Sequence, residues 1–394
     1  MKKRGPKPSS DSVCRQGNRR TFYIKPDISD KLDKYVKENN MSISTIVNQA
    51  LGEFIRPVNK TVNSYSIVSL FSGCGGMDLG FMGGFEFLKK KYQKHNFDIK
   101  FANDISNHAC DEYKKNLGHN SVNQDICSFL DHLSSLPIDD RQFIFPEYAD
   151  IVIGGFPCQD FSVAGKRKGL DAHRGRLYQQ MKRVISMANP KIFVAENVKG
   201  LTNLGDAIDI IKEDFSNTGL HGYKIFSDLL HAANYGVPQT RERVFIVGIR
   251  NDLDASAFSF PHATHSPDSD SNLPNWVTSE EAIDDLKEQK DFPNQNQYSK
   301  ARNYGEHCQG NKKIKRDFPG PTIRAEHHGN IEFHYELNRR LTIRECARIQ
   351  SFPDNYIFHC SPSAAYKLIG NAVPPVLAWH IAESVEKALI HWGF

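Results

Sequence analysis

Cys158 has the setting in this 394-residue chain best suited to nucleophilic chemistry. It lies in Gly154-Gly155-Phe156-Pro157-Cys158-Gln159-Asp160-Phe161-Ser162, directly after the strand-like run 150–153. A thiolate is the strongest common side-chain nucleophile near neutral pH. A Gly/Pro loop after a parallel strand places it at the carboxyl edge of a sheet, where ligands bind. The competing use of a lone cysteine is core packing, and the Phe-Pro-Cys-Gln setting argues against it. Ala195-Glu196-Asn197-Val198 also ends an apolar run, so Glu196 can reach the same pocket. A protonated carboxyl there can donate to a ring nitrogen and make the ring electrophilic, and burial raises its pKa toward that role. In Gln239-Thr240-Arg241-Glu242-Arg243, two arginines at alternate positions point the same way from an extended chain. They can hold an oxygen and a phosphate, or pair with Glu196 and other carboxylates.

A second group suits a nucleotide-like ligand. In Ser69-Leu70-Phe71-Ser72-Gly73-Cys74-Gly75-Gly76-Met77-Asp78-Leu79-Gly80-Phe81 a strand runs into a glycine-rich turn and then a helix. Glycines let the backbone approach such a ligand closely, and a helix start offers free N–H groups; a purely structural turn is the alternative. Asp104, ending the next strand, is the acid expected on ribose hydroxyls. Asp125-Ile126 closes a third strand-like stretch. The eight cysteines include no C-x-x-C pair, so neither a zinc site nor a thioredoxin-like redox pair is indicated. His327, His328 and His334 cluster without Cys or carboxylate spacing; DNA or backbone contacts are the preferred reading over metal.

These groups need a scaffold. Strand candidates at 66–71, 99–102, 151–153, 192–195 and 244–249, with helical patterns between most of them, predict a doubly wound, mostly parallel α/β sheet over 65–250. Residues 251–338 are rich in Pro, Asn, Ser, His and Asp and read as a separate loop-rich recognition domain. Residues 339–394 return to helix: Leu341, Ala347 and Ile349 lead into a turn, and 376–389 is a final helix completing the catalytic domain. No apolar run approaches the ~18 residues of a membrane span. Reduced thiols and no apolar segment after the basic start point to an intracellular enzyme.

Charge is uneven. Residues 1–60 hold 13 Lys+Arg against 6 Asp+Glu, and the other 334 hold 37 against 40. The excess positive charge at the start favours a polyanion, the alternative being a solvated basic tail. Residues 1–19 read as a flexible basic arm. Residues 20–25 alternate like a strand, with Phe22 and Ile24 on one face and Thr21, Tyr23 and Lys25 on the other; Pro26 ends it. Asp27 or Ser29 can cap a helix carrying Ile28, Leu32, Tyr35 and Val36 on one face, broken at Asn39-Asn40. Ser42 or Ser44 can cap a second, with Ile46, Val47, Ala50, Leu51 and Phe54 along one side. Such a β-α-α segment is too small to bury its own core, and dimerisation through 20–56 would solve that. The 20–58 segment resembles the ribbon-helix-helix DNA-binding family. That resemblance implies that Thr21, Tyr23 and Lys25 face base edges and that the second helix starts against phosphate.

The ordered set Phe71-Ser72-Gly73-Cys74-Gly75-Gly76, Phe156-Pro157-Cys158-Gln159, Glu196-Asn197-Val198, Gln239-Thr240-Arg241-Glu242-Arg243, Arg344-Glu345-Cys346-Ala347-Arg348 and Gly370-Asn371-Ala372-Val373 resembles the DNA (cytosine-5)-methyltransferase family over 66–250 and 339–382. The resemblance implies a Rossmann-like domain binding S-adenosylmethionine, released as S-adenosylhomocysteine, with duplex DNA as substrate. Phe71, Gly73, Gly75 and Leu79 would shape the cofactor site. Asp104 would hold the ribose, Asp125 the adenine amino group, and Asn371 would close the pocket, with Ile105, Ile126, Pro157, Leu177 and Val373 also binding the cofactor. Cys158 would attack C6 of a cytosine flipped out of the helix, with Glu196 on N3, Arg243 on O2 and Arg241 orienting the active-site loop. The loop 162–175, with Lys166, Arg167, Lys168 and Arg174, would close over DNA. Thr322-Ile323-Arg324-Ala325 resembles the motif that begins base contacts, giving Thr322 and Arg324 to DNA. Ile105 departs from the family, which often has an aromatic or bulky polar residue there. The implied biology is modification within a restriction–modification system, with a restriction endonuclease as functional partner and operator binding by the N-terminal segment as a second activity. RNA cytosine methylation, and a transcriptional regulator with secondary methyltransferase activity, are the rival readings.

Overall fold

A computed structural model of the chain describes residues 24–39, 42–44, 46–47, 64–146, 148–157, 177–203, 206–299, 312–325 and 332–394. It divides into two units, 1–56 and 57–394.

In the first unit the helix Pro26–Asn39 begins at the proline itself. The Lys25 carbonyl accepts from the amides of Ile28 (3.0 Å) and Ser29 (2.9 Å), so the turn closes ahead of Asp27 and Ser29, the expected caps. Proline suits a first helical position because the N–H it lacks would have no helical acceptor. Residues 43, 44, 46 and 47 are helical, and Ile46 donates to the Ser42 carbonyl, which puts Ser42 rather than Ser44 at the start of the second helix. Ile46 is buried, whereas Ile28 and Ile43 are exposed. Thr21, Phe22 and Tyr23 of the expected strand, and Ala50, Leu51 and Phe54 of the second helix, lie outside the described residues. Ile24 and Lys25 carry no regular structure.

The second unit is built on a seven-stranded sheet. Its strands are β1 (Tyr65–Leu70), β4 (Phe97–Asp104), β5 (Val122–Asn123), β6 (Ile151–Gly155), β7 (Ile192–Val198), β8 (Tyr223–His231) and β9 (Glu242–Arg250). The hairpin β2 (Phe85–Phe87) and β3 (Lys90–Tyr92) stands apart as a sheet of its own. The order is β5-β4-β1-β6-β7-β9-β8. The first five run parallel, and β9 inserts antiparallel between β7 and β8. The carboxyl ends of β1, β4, β6, β7 and β8 and the start of β9 therefore share one edge. Every strand expected from the apolar runs is present. The sequence signal missed β8, whose outward residues Ser227, Asp228 and Leu229 leave an edge strand without a continuous apolar run. Asp125, expected to close a strand, instead caps the helix Ile126–Ser135, its Oδ1 accepting from Ser128 N at 3.0 Å. The expected return to helix is seen at Ile343–Ile349, which leads into a turn; Thr342 and Glu345 make a reciprocal capping box at its start.

The two faces of the sheet are covered by separate apolar clusters. Val68, Leu70 and Val152 face the helices Ile126–Ser135, Leu177–Ala188 and Ala207–Ser216. Ile67, Ile151 and Ile153 face the helices Gly76–Met82 and Pro375–His391. Gly80 permits the close crossing of those two helices: a β-carbon there would stand 2.4 Å from Ala378 Cβ and 2.6 Å from the Pro375 carbonyl. Phe258, Leu286, Ile314 and Ile323, from the 251–338 stretch, are buried in the same cluster. Among the described residues no helix is long and apolar enough to cross a membrane.

Candidate active site

Three loops at the carboxyl edge are tied to one another by side chains that reach across strands. After β1, Phe71 and Gly73 take left-handed conformations (φ 52° and 55°), which bends the glycine-rich turn back over the strand end. Gly73 N donates to Asp104 Oδ2 at 2.9 Å, and Ser106 N to Asp104 Oδ1 at 2.8 Å. Each carboxylate oxygen keeps a further lone pair. Burial pushes the Asp104 carboxyl up, opposed by these two amides. Ile105 beside it is 70% exposed, a large apolar side chain held open at the sheet edge. Asn103 fixes the next loop by donating to the carbonyls of Val122 (2.9 Å) and Gln124 (2.8 Å). Asp125 follows, partly exposed, and Ile126 is buried in the core, so it can offer a ligand its backbone but little side chain.

The chemistry-bearing side chains sit over β6, β7 and β9. Glu196 is 8% exposed, and Arg243 Nε donates to its Oε1 at 2.8 Å. Oε2 faces Gly155 so closely that a β-carbon there would lie 2.8 Å away. Burial raises the Glu196 pKa, opposed by the charges of Arg243 and Arg241. Asn197 donates to the Phe156 carbonyl at 2.9 Å, pinning the β6 loop immediately before the exposed Pro157. Cys158 follows Pro157; it lies outside the described residues, as do Lys166, Arg167, Lys168 and Arg174. Leu177 opens the helix Leu177–Ala188.

Arg241 is buried in the interior. It donates to the carbonyls of Ile323 (3.1 Å), Gly370 (2.9 Å) and Ala372 (3.1 Å), and so locks the 322–324 segment to the 370–373 turn. Among the described residues these backbone carbonyls are its hydrogen-bond partners. Gln239 reinforces them, donating to the Ile349 carbonyl and accepting from Ile323 N. Thr322 donates to the Thr240 carbonyl at 3.3 Å, and Arg324 is exposed beside it. Asn371 is exposed at the end of the helix Pro362–Asn371. Val373 is buried, and its carbonyl presses on Gly76, where a β-carbon would stand 2.5 Å away. Gly75 is left-handed at φ 82°, and Leu79 is buried in the helix after it. His334 is fully buried; its Nδ1 accepts from the amides of Glu336 and Leu337, the backbone role expected of it, while His327 and His328 lie outside the described residues.

The motifs at Phe71–Gly76, Glu196–Val198, Gln239–Arg243 and Gly370–Val373 thus converge on one edge, whereas Arg344–Arg348 belongs to the core. The bridging roles of Asn103 and Asn197 carried no sequence signal beyond their places at strand ends, because their acceptors lie far along the chain. A glycine-rich turn, a ribose-type acid and a buried carboxyl–guanidinium pair on a doubly wound sheet define a group-transferring enzyme of nucleotide-binding type. Comparison makes this specific. The family model for the C-5 cytosine-specific DNA methylase matches residues 65–387. The Type II methyltransferase M.NgoFVII of Neisseria gonorrhoeae is 34% identical over 361 residues, covering 85% of this chain and 90% of that protein. The Type II methyltransferase M.BspRI of Lysinibacillus sphaericus is 32% identical over 405 residues, covering 93% and 91%. The fold is shared with Dnmt2 methyltransferase of S. pombe (TM-score 0.55, 18% identity, 84% of this chain and 100% of that one). It is shared too with a candidate DNA modification methyltransferase encoded within an E. coli prophage (TM-score 0.60, 22% identity, 83% and 100%). The chain belongs to the C-5 cytosine-specific DNA methylase family, whose general reaction is S-adenosylmethionine-dependent methylation of cytosine carbon 5 in DNA.

Proposed function

We propose that this chain methylates cytosine in a short duplex sequence as the modification enzyme of a restriction–modification system, with Cys158 as nucleophile and Glu196 as acid. The observation that carries the reading is the buried Glu196 carboxyl, held by Arg243 on one oxygen, with the other over Gly155 and without a partner among the described residues, beside the loop that leads to Cys158.

The turn at Gly73, where a β-carbon would meet nothing within 4 Å, the free lone pairs of Asp104 and the exposed Ile105 fit a nucleoside-bearing cofactor. Phe71, Gly73, Gly75 and Leu79 would shape its methionine side, Asp104 and Ile105 its ribose, and Asp125 and Ile126 its adenine. Pro157, Leu177, Asn371 and Val373 would close over it. Bound there, S-adenosylmethionine supplies the methyl group that cytosine carbon 5 receives.

The side chains do the rest. The Cys158 thiolate adds to C6 of the flipped base, and Glu196 delivers a proton to N3, so negative charge does not accumulate on the ring. Arg243, already against Glu196, donates to O2. Loss of the C5 proton then restores the double bond and expels Cys158. Arg241 maintains the site by keeping the 322–324 segment and the 370–373 turn in place. Residues 251–338, through Thr322 and Arg324, read the target sequence, and the loop carrying Lys166, Arg167 and Arg174 closes on the phosphates.

The names of the two relatives support the restriction–modification setting. Segment 20–58, with Thr21, Tyr23 and Lys25 on DNA, dimerises on an operator and represses its own gene or that of the cognate endonuclease. Deleting 1–60 removes operator binding while methyl transfer survives; operator binding that survives the deletion contradicts this role. The enzymatic reading is tested by transfer of labelled methyl from S-adenosylmethionine to unmethylated duplex DNA and to RNA, with Cys158→Ala alongside. Label on DNA cytosine that is lost in the variant supports it. Transfer to RNA alone, or none, overturns it.

A further inference from the structure

At the carboxyl edge of the sheet three rings form a shelf that the mechanism leaves unused. His231 ends β8 and pairs in register with Glu242, the residue before Arg243. Its ring stacks on Trp276 at 4.9 Å and 12°. Trp276 meets Phe318 edge-on at 5.7 Å and 70°. Phe318 is 40% exposed, and Lys315 Nζ stands 5.5 Å from the centre of its ring.

The shelf is anchored from behind. Trp276 Nε1 donates to Asn234 Oδ1 at 2.9 Å, and the Asn234 carbonyl accepts from the amides of Thr264 and His265. The Phe318 carbonyl accepts from both Ser279 N (3.0 Å) and Ser279 Oγ (2.9 Å). Two residues on, the Gly320 carbonyl accepts from Thr240 N at 2.8 Å, which fixes this segment to the strand that carries Arg243. Burial lowers the His231 pKa, opposed by the charge of Glu242. The nearby carboxylates of Glu242 and Glu280 are engaged by Lys199 and Arg316, while Asp228, Glu281 and Asp317 are exposed acids of the same region.

An exposed aromatic on a doubly held backbone costs entropy and solvation unless something covers it. A cation over an aromatic ring, on a segment tied to the chain just ahead of Arg243, matches the face of a nucleobase with its adjoining phosphate. We propose that Phe318, backed by Trp276 and His231 and flanked by Lys315, is a stacking platform for a nucleobase next to the target cytosine in the DNA substrate. The proposal rests on the methyltransferase reading for its substrate. The platform holds the strand while the cytosine is outside the helix, so it acts on DNA affinity rather than on the chemical step.

The test uses the full chain and two probes: a fluorescein-labelled duplex copied enzymatically from bacterial DNA, and the same DNA as methyl acceptor. Phe318→Ala should weaken duplex binding by roughly tenfold or more and raise the KM for DNA alike, with kcat, the KM for S-adenosylmethionine and the melting temperature unchanged. Phe318→Trp should restore affinity. Lys315→Gln should lower the slope of log affinity against log salt by about one. Because binding is read without turnover, an inactive wild type would sink the methyltransferase reading while leaving the platform testable. Unchanged duplex affinity in Phe318→Ala, or a loss that Phe318→Trp does not restore, overturns the proposal.

Discussion

Two buried carboxylates of this protein, Glu196 and Glu345, each face an arginine and each lie in a motif legible from sequence, yet they do opposite work. Glu345 is fully buried and all its capacity is consumed. Arg339 grips both oxygens (2.7 and 2.8 Å), and Thr342 N and Gln295 Nε2 take the remaining positions. Around it Arg344 donates to the carbonyls of Pro293, Pro353 and Tyr356, and Arg348 grips Asp354 at 2.8 Å through two nitrogens. Glu196 has Arg243 on one oxygen, while the other looks over a glycine toward the loop of Cys158. A buried charge whose bonds are all made is scaffold, because nothing is left for a ligand. A buried charge with one oxygen open is poised for chemistry.

Exchanging the two acids sharpens this contrast most. Glu196→Gln should cut kcat by about 10²–10⁴ while the melting temperature holds, measured by methyl transfer and by calorimetry. The pH profile should move with it. Burial favours the neutral carboxyl of Glu196, so wild-type activity should fall as pH rises through its folded pKa, and the glutamine variant should lack that limb. Glu345→Ala should do the reverse, costing roughly 3 kcal/mol of stability in a denaturant titration. Below the melting transition its KM for DNA should stay close to wild type. An inactive but fully stable Glu345→Ala would break the comparison.

Asp78 and His380 extend it to groups buried with a polar atom left over. Asp78 is fully buried under the glycine-rich turn, Tyr113 donates to its Oδ1 at 2.8 Å, and among the described residues Oδ2 has no partner. Desolvation raises its pKa to about 6, against the bonds from Ser69 and Tyr113. A raised carboxyl contributes stability that is present below its unfolded pKa and lost as pH rises through about 6. Relative to wild type, Asp78→Asn should therefore gain stability with rising pH, by up to roughly 3 kcal/mol. His380, buried with Nε2 unpartnered, is pushed by desolvation down to about 4. Its stability contribution is lost as pH falls from its unfolded value toward 4, so His380→Leu should gain most on the acid side. Thermal melts of both variants at pH 4, 6 and 8 check the two opposite slopes.

The smallest effect is steric. Gly155→Ala would push a methyl against Glu196 Oε2, so the carboxyl must shift by a few tenths of an ångström or more. About tenfold in kcat is expected, since a misplaced catalytic group costs that much or more. An alanine variant with wild-type kcat would show that Oε2 is not the working oxygen.

How far the sequence could be read follows the same division. The parallel strands were legible because both their faces are buried and their apolar runs unbroken. Asp104, Glu196 and the glycine-rich turn were legible because they stand at those strands' ends. β8 was not, since an edge strand with one wet face loses its apolar signature. Arg241 illustrates the remaining limit. Its motif marked it as functional, but its three carbonyl partners come from segments 82 to 131 residues away, which no local pattern reveals. Glu345 was noticed as part of a motif and given no role; only packing shows that all its bonds are made.

The most direct test of the Cys158–Glu196 assignment is a duplex whose target cytosine carries fluorine at carbon 5. Fluorine cannot leave as a proton does, so the Cys158 adduct should persist once the methyl group has arrived. Wild-type protein with S-adenosylmethionine should form a denaturant-resistant complex whose cross-linked peptide contains Cys158, Cys158→Ala should form none, and Glu196→Gln should form it at least a hundredfold more slowly. A complex that survives Cys158→Ala, or one that forms at the wild-type rate in Glu196→Gln, would contradict the account.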